Sequence, residues 1–345
     1  MNVMNPKVTP VADLTYTSDV ARDTAHLYEK VKTVIPEIEW PVYAPLIARI
    51  NELKRQKNAI ILGHNYMTPE IFHCVADVTG DSLALARSAA KTDASIIVMA
   101  GVEFMAETAK IMNPGKKVLI PNTGAGCTLA EAITPEDVRK LKAQYPGVPV
   151  ITYVNTSAEV KAESDICCTS ANAAQIVEGL GVPRVIMLPD EYLALNTAKQ
   201  VKTEVITWKG RCMVHEMFTP EDIRSYRASN PGVVVLAHPE CSPEVVAECD
   251  YTGSTAGMID YVAKNRPPKV VLVTECSMSD NVAAEYPELD FVRPCNLCPF
   301  MKKIELKNIL HALETETHEV HIDPAIGARA RVAVERMING WKYGT

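Results

Sequence analysis

Four kinds of residue recur three times along the chain, at intervals of 84–89 positions. Each kind contributes one residue to each third of the sequence. The sets are His64, Tyr153 and His238; Ser82, Ser170 and Ser254; Glu103, Asp190 and Glu275; and Cys127, Cys212 and Cys298. A period shared by four unrelated markers is typical of internal duplication, and this one exceeds the period of solenoid repeats. The sequence therefore predicts three homologous units, each the size of a small domain.

Short apolar runs rich in isoleucine and valine alternate with helical patterns in all three units. The runs are 59–62, 96–99, 118–120, 148–153, 185–188, 233–237 and 270–273. Each run is continuous, as in parallel strands that are buried on both faces. Two helices have clear start signals, Thr134-Pro135 and Thr219-Pro220, each followed by two acidic residues. The pattern predicts an α/β fold of three three-layer αβα domains with parallel sheets.

The repeat also predicts how the domains divide and meet. We expect an N-terminal extension at 1–45, α/β repeats at 46–130, 131–217 and 218–301, and a helical tail at 302–345. Ligands of open α/β sheets bind beyond the carboxyl ends of the strands, where the polar markers lie. We therefore expect the three domains to surround a pseudo-threefold axis, with the active site at the centre.

Charge and hydropathy exclude several kinds of partner. The net charge of −7 argues against a nucleic-acid surface, which needs a basic field. The apolar runs are far shorter than the roughly 20 residues of a membrane-spanning helix, and residues 1–16 contain no apolar signal segment. We expect a cytoplasmic protein without nucleic acid or membrane partners, whose ten cysteines stay reduced.

One cysteine per repeat would bring three thiolates to the centre of the molecule. Structural zinc and electron-transfer clusters normally take four protein ligands, whereas three ligands leave a position open for catalysis. Cys127, Cys212 and Cys298 therefore predict one [4Fe–4S] cluster per chain, with one open iron. Structural or redox thiols remain the alternative, and Cys295 forms a Cys-x-x-Cys pair with Cys298 that also suits a redox role.

Other polar residues near the predicted strand ends supply acids, bases and hydrogen-bond donors to the same centre. They are His64, Tyr66, Tyr153, Asn155, His215, His238 and Glu240. Such a set suits proton transfer around a small polar substrate. Ser82, Ser170 and Ser254 lie at predicted strand-to-helix turns, where backbone N–H groups bind anions. The substrate is therefore expected to carry several anionic groups.

Motifs over about residues 45–340 resemble those of the quinolinate synthase family. They are Gly63-His64-Asn65-Tyr66, Gly80-Asp81-Ser82-Leu83, Met105-Ala106-Glu107-Thr108, Tyr153-Val154-Asn155-Thr156-Ser157, Met213-Val214-His215, His238-Pro239-Glu240, Gly253-Ser254-Thr255, Cys298-Pro299 and His318-Glu319-Val320. The resemblance implies three α/β domains about a pseudo-threefold axis, in agreement with the repeat.

The resemblance also implies a transferase reaction in NAD biosynthesis. Iminoaspartate and dihydroxyacetone phosphate would condense to quinolinate with loss of phosphate and water, and the open iron of the cluster would act as a Lewis acid. Cys127, Cys212 and Cys298 are the implied ligands. The implied substrate-binding residues are His64, Ser82, Tyr153, Val154, Asn155, Ser170, His215, His238, Pro239, Glu240, Ser254 and Thr255. Tyr66, Glu240, His64 and His238 are the implied catalytic group.

Two other functions remain open at this point. An aconitase-type iron–sulfur hydro-lyase would also use an open iron, and an iron–sulfur sensor or electron carrier would need no acid–base set. Some members of the family carry an additional cysteine where this chain has Val292, so redox regulation through that thiol is in doubt here. L-Aspartate oxidase is the partner that would supply iminoaspartate, and the sequence leaves a contact with it open.

Overall fold

The computed structural model describes residues 14–340 of the chain. The strands are β1 (Ala59–His64), β2 (Val78–Gly80), β3 (Ile96–Ala100), β4 (Lys117–Leu119), β5 (Val150–Tyr153), β6 (Ile166–Cys168), β7 (Arg184–Leu188), β8 (Glu204–Thr207), β9 (Val234–Ala237), β10 (Tyr251–Thr252), β11 (Lys269–Val273) and β12 (Asp290–Val292).

The helices are α1 (Ser18–Val31), α2 (Trp40–Lys57), α3 (Pro69–Cys74), α4 (Ser82–Lys91), α5 (Glu103–Met112), α6 (Thr128–Glu131), α7 (Pro135–Gln144), α8 (Ala158–Glu163), α9 (Ala173–Gly179), α10 (Glu191–Ala198), α11 (Pro220–Ser229), α12 (Pro243–Ala247), α13 (Thr255–Asn265), α14 (Ser277–Glu285), α15 (Leu306–Thr315) and α16 (Pro324–Asn339). Two 3₁₀ turns, His215–Met217 and Met301–Lys303, precede α11 and α15.

The strands form three parallel sheets of four strands each. Their orders are β2-β1-β3-β4, β6-β5-β7-β8 and β10-β9-β11-β12, which is one arrangement used three times. Each of the seven apolar runs overlaps a strand, and three of them (118–120, 148–153 and 233–237) extend one or two residues beyond it. The central strand β3 is buried along its whole length. The predicted α/β class with parallel sheets is confirmed.

An aspartate ties the first strand of every sheet to the helix that precedes it. The backbone bonds are Ile61 N to Asp77 (2.8 Å), Val150 N to Asp165 (2.8 Å) and Val235 N to Asp250 (2.7 Å). The ion pairs are Lys54 with Asp77 (2.7 Å), Lys142 with Asp165 (3.4 Å) and Arg227 with Asp250 (3.0 Å). The aspartates lie 88 and 85 positions apart, so they are a fifth repeated marker.

The two predicted helix starts are confirmed. In α7, Thr134 accepts a hydrogen bond from the backbone of Asp137, whose carboxylate accepts one from Thr134 N. In α11, Thr219 and Asp222 make the same reciprocal pair. Each reciprocal pair is a capping box, which satisfies backbone N–H groups at the helix N-terminus that have no partner inside the helix.

For two of the repeated markers, Ser254 and Glu103, the structurally equivalent residue is the neighbouring one in the sequence. Ser82 and Thr255 are the first residues of α4 and α13, whereas Ser254 is the cap before α13. Asp190 precedes the first residue of α10, and Val102 precedes the first residue of α5 in the same way. Thr255 is therefore the structural counterpart of Ser82, and Val102 is the counterpart of Asp190. The exposed Glu103 is not equivalent to Asp190.

Side chains in the third helix of each sheet unit contact another unit just after its first strand, either in the loop or at the helix start that follows it. Glu107 of α5 accepts a hydrogen bond from Ala158 N at 3.0 Å. Asn196 of α10 donates to the loop after β9, and Asn281 of α14 donates to the loop after β1. These contacts link the first sheet unit to the second, the second to the third, and the third back to the first.

The C-terminal segment packs back onto the first two units. Helix α15 packs against α2, and α16 packs against α8 and β6. Residues His318 and Val320 exchange backbone hydrogen bonds with Ile120 and Val118 beside β4. Helix α2 passes through residue 45, where the extension was expected to end. The expected segments at 1–13 and 341–345 lie outside the described residues.

Within residues 14–340, no helix is both long and apolar enough to cross a bilayer.

Replacing Asp77 with alanine tests the repeated aspartate. The change leaves Ile61 N–H without its acceptor and Lys54, which is largely buried, without its counter-ion. We expect a loss of about 2 kcal/mol in the free energy of unfolding, measured by urea denaturation, because a buried donor is left unpaired. The exposed Asp93→Ala is the control and should change this free energy by less than about 0.5 kcal/mol. Equal effects from the two substitutions would contradict the assignment.

Candidate active site

A cavity of about 710 Å³ is lined by residues from all three sheet units. The first unit contributes His64, Tyr66, Ser82 and Cys127; the second contributes Tyr153, Asn155, Ser170, Cys212 and His215; the third contributes His238, Glu240, Thr255 and Cys298. His64 and Tyr153 end their strands, and His238 directly follows β9. The structure thus brings together most of the residues that the sequence singled out.

Three of the predicted substrate-binding residues lie beside this cavity without lining it. The Val154 side chain lines a smaller neighbouring cavity, and its backbone N–H bonds to Cys168 O. Pro239 contributes its carbonyl to Asn196. Ser254 accepts a hydrogen bond from Gly257 N as the cap of α13.

Two histidines are buried and uncharged at neutral pH. His64 Nδ1 accepts a hydrogen bond from Tyr66 N (3.2 Å), and His238 Nδ1 accepts one from Glu240 N (3.4 Å). Burial lowers the pKa of each histidine to about 3, although the charge of Glu240 opposes the shift. Because Nδ1 is an acceptor in each ring, Nε2 carries the proton, and that of His238 faces Ser170 Oγ at 3.2 Å.

A continuous chain of hydrogen bonds connects four residues that line the cavity. Tyr66 Oη lies 2.6 Å from Thr274 Oγ1, which lies 2.9 Å from His215 Nε2. His215 Nδ1 lies 2.7 Å from Glu240 Oε2, and the other oxygen of Glu240 accepts from Tyr153 Oη at 2.6 Å. These five side chains alternate among the three units, so no single unit contains the chain.

The environment divides the charges along this chain. Burial alone would raise the pKa of Glu240, but His215 and His238 beside it and the hydrogen bonds from His215 and Tyr153 lower it below its usual value. Burial and the nearby Glu240 charge raise the pKa values of Tyr66 and Tyr153 well above 10.0. The site therefore holds a carboxylate between two protonated phenols.

The three cysteines share a local backbone geometry. The sulfur of each receives backbone N–H groups from the residues two and three positions further on: Leu129 and Ala130 for Cys127, Val214 and His215 for Cys212, and Phe300 and Met301 for Cys298. Burial raises the pKa of each thiol, to about 12 for Cys127, and these N–H groups oppose the rise.

Such a donor set fits a metal–thiolate centre. N–H groups aimed at sulfur favour the thiolate, which is the form that binds metal. All three sulfurs belong to residues that line one cavity, and each comes from a different unit. Residues 14–340 contain no disulfide, so the three thiols are free to ligate.

A second group with metal-ligand character, Cys212, His215 and Glu240, has its ligand atoms within 4.8 Å of one another. The 2.7 Å distance between His215 and Glu240 is that of a hydrogen bond, and the other nitrogen of His215 is engaged by Thr274. His215 therefore has no free nitrogen for a metal, and we assign it to the hydrogen-bond chain.

Sequence reasoning missed Thr274 and Lys302, two residues that support the site, whereas the repeat had already marked Glu275. Thr274 directly follows β11, and neither Thr274 nor Lys302 is one of the repeated markers. The fully buried Glu275 faces Lys302 at 2.9 Å and accepts from Cys298 N at 3.4 Å. Lys302 also donates to Tyr66 O at 2.9 Å, so one ion pair contacts both a cysteine and a tyrosine of the site.

Comparison with known proteins gives one family. A family model described as Quinolinate synthetase A protein matches residues 48–339. Quinolinate synthase 1 of Mesorhizobium japonicum is 67% identical over 321 residues, which are 93% of this chain and 99% of that protein. The quinolinate synthase of Agrobacterium fabrum is 64% identical over 314 residues, 91% of each chain. That of Sinorhizobium fredii is 59% identical over 327 residues, 95% of this chain and 91% of its own. Since these matches span nearly the whole chain, the protein belongs to the Quinolinate synthetase A protein family.

Proposed function

We propose that this protein is a quinolinate synthase of NAD biosynthesis, which condenses iminoaspartate with dihydroxyacetone phosphate and releases phosphate and water. The observation that carries the proposal is the meeting of three cysteines and a five-membered hydrogen-bond chain in one cavity. The printed names of relatives that are 59–67% identical support it.

Cys127, Cys212 and Cys298 would hold a [4Fe–4S] cluster, each with its two N–H groups pointing at the sulfur. Three ligands leave one iron open, and when bound the cluster would supply a Lewis acid that draws electron density from a substrate oxygen. Ten reduced thiols and such a cluster suit the cytoplasm.

The helix starts that line the cavity would bind the anionic groups of the substrates. Ser82 and Thr255 begin α4 and α13, where backbone N–H groups and the helix dipole favour negative charge. The neutral His238 directs its Nε2 proton to Ser170, which lines the cavity. Neutral donors of this kind can bind a carboxylate or a phosphate without placing a buried positive charge in the cavity.

The hydrogen-bond chain would move a proton from Tyr66. Glu240 accepts from His215 Nδ1–H, so His215 Nε2 is left as the acceptor for Thr274, and the Thr274 hydroxyl can accept from Tyr66. Because burial favours the protonated phenol, Tyr66 at rest carries its proton. Thr274 would accept this proton and pass its own to His215 Nε2, and Glu240 would stabilise the imidazolium that results. The phenolate left on Tyr66 would then take a proton from the substrate during dehydration. Tyr153 would keep Glu240 ionised throughout.

The arrangement of the units about a pseudo-threefold axis is part of this proposal. The closed series of contacts made by Glu107, Asn196 and Asn281 supports it, since each links one unit to the next. Iminoaspartate would come from an enzyme that oxidises aspartate, and L-aspartate oxidase has that chemistry.

An anaerobic assay tests the function. The reconstituted protein, given iminoaspartate and dihydroxyacetone phosphate, should form quinolinate and release one phosphate for each pyridine ring. Omitting dihydroxyacetone phosphate should abolish ring formation. Dehydration of a hydroxy acid without any requirement for dihydroxyacetone phosphate would instead support an aconitase-type hydro-lyase.

The ligand assignment predicts three equivalent losses. Cys127→Ala, Cys212→Ala and Cys298→Ala should each prevent cluster assembly, because the two remaining thiolates would leave two of the four irons without a protein ligand. Iron and sulfide would be measured in anaerobically purified variants. Cys74→Ala, at a buried cysteine outside the cavity, and Cys295→Ala, three residues from Cys298, are the controls and should keep normal iron. Normal iron in any of the first three would remove that residue from the ligand set.

The proton chain predicts matched losses at two hydroxyls. Tyr66→Phe removes the phenol whose proton enters the chain, and Thr274→Val replaces the link to His215 with a side chain of the same shape. Each should lower kcat by about 10²-fold or more, the usual contribution of a positioned acid or base, with cluster content and KM little changed. Combining the two should cost little more than either alone, since both break one chain. Additive losses would show that Thr274 acts apart from Tyr66.

A further inference from the structure

Two buried asparagines each donate hydrogen bonds to the backbone carbonyls on both sides of a residue in the hydrogen-bond chain, Tyr66 or Glu240. Asn281 Nδ2 donates to Asn65 O (3.1 Å) and Met67 O (2.8 Å), the carbonyls that flank Tyr66. Asn196 Nδ2 donates to Pro239 O (2.9 Å) and Cys241 O (2.9 Å), the carbonyls that flank Glu240. Both asparagines are at most 3% exposed.

The two asparagines make the same contact in equivalent places of the repeat. Asn196 and Asn281 lie 85 positions apart, which is the period of the repeat, on the equivalent helices α10 and α14. Each reaches out of its own unit into the loop of another. Tyr66 and Glu240 are themselves equivalent, since each lies two residues after the histidine that accepts its backbone N–H.

Holding both neighbouring carbonyls fixes the backbone direction at the residue between them. The backbone N–H of Tyr66 donates to His64 Nδ1, and the carbonyl of Tyr66 accepts from Lys302. Together with the two carbonyls bound by Asn281, the backbone on both sides of Tyr66 is therefore hydrogen-bonded. Within the described residues, Oδ1 of both asparagines accepts no hydrogen bond. A buried acceptor without a hydrogen-bond partner destabilises the fold. The two hydrogen bonds that each Nδ2 donates are therefore the reason for an asparagine at these positions.

We propose that Asn281 and Asn196 are positioning residues, which aim Tyr66 at Thr274 and Glu240 at His215 from a neighbouring unit. The inference rests on the proposed function, because it assigns these amides to the geometry of the proton chain. Neither amide lines the cavity, so each acts through the backbone of the residue it flanks.

Asn281→Asp and Asn281→Leu provide the test, with cluster-loaded full-length protein. The aspartate places an oxygen against two carbonyl oxygens, and the leucine removes both donors without adding charge. We expect kcat to fall by about 10²-fold in each, the effect of a displacement of roughly 1 Å at a reacting group. The KM for each substrate should change by less than about threefold, and iron content should stay normal. Asn196→Leu should behave in the same way through Glu240.

A double-mutant comparison separates positioning from a general loss of structure. Tyr66→Phe should cost less than about threefold in the Asn281→Leu background, because Tyr66 is already misdirected there. Ser170→Ala should cost as much in that background as in the parent protein. Ser279→Ala is the matched control on α14, since Ser279 is fully buried and its hydroxyl has no partner within residues 14–340. It should leave kcat unchanged.

The outcomes distinguish the inference from the function on which it rests. A parent protein that makes no quinolinate would overturn the proposed function. An active parent with unchanged kcat in the Asn281 and Asn196 variants would overturn the inference alone. The inference also fails where kcat, iron content and the thermal midpoint fall together in every variant, or where Tyr66→Phe keeps its full cost in the Asn281→Leu background.

Discussion

The chemistry of this site depends on contacts that cross from one sheet unit to another. The cysteines come one from each unit, and the chain from Tyr66 to Tyr153 changes unit at every hydrogen bond. Within a unit, the parallel sheet holds its strand ends rigidly, but it does not fix them relative to the other two sheets. Polar contacts from a helix of one unit to a loop of the next, through Glu107, Asn196 and Asn281, supply that constraint. A polar contact suits the purpose because hydrogen bonds have a direction, whereas apolar packing alone permits sliding.

Burial is the second condition for the chemistry. A carboxylate such as Glu240 is costly to bury unless donors surround it, and here it has His215 and Tyr153 within 2.7 Å. Its negative charge raises the pKa of both tyrosines and opposes the loss of charge on His64 and His238. The balance leaves neutral histidines and one ionised acid lining the same cavity. Neutral hydrogen-bond donors and a carboxylate can then coexist in a small volume without cancelling each other.

The family relationship and the structure contribute different information. Membership in the Quinolinate synthetase A protein family indicates the kind of reaction. The structure adds Thr274 and Lys302, which the sequence did not single out, and it shows what Glu275 contacts. Thr274 contacts a histidine, Glu275 the backbone of a cysteine and Lys302 the backbone of a tyrosine. The structure also shows that the repeat extends to the aspartates Asp77, Asp165 and Asp250, so it includes stabilising contacts as well as residues of the cavity.

The number of units, the parallel sheets and most of the cavity lining follow from the amino-acid sequence alone, because buried strands produce long apolar runs and an internal repeat preserves the order of residues. Five strands lie outside the seven apolar runs. One is the short buried strand β6, and the others are β2, β8, β10 and β12, which are edge strands of two to four partly exposed residues with little apolar signal. The spacing in the sequence placed Ser254 and Glu103 one position away from the true counterparts, Thr255 and Val102, because equal spacing does not define register where loops differ in length. Thr274 meets His215 across 59 positions, and Asn281 meets the Tyr66 loop across more than 200. Such pairs are set by how separate units pack against one another, so no local periodicity in the sequence predicts them.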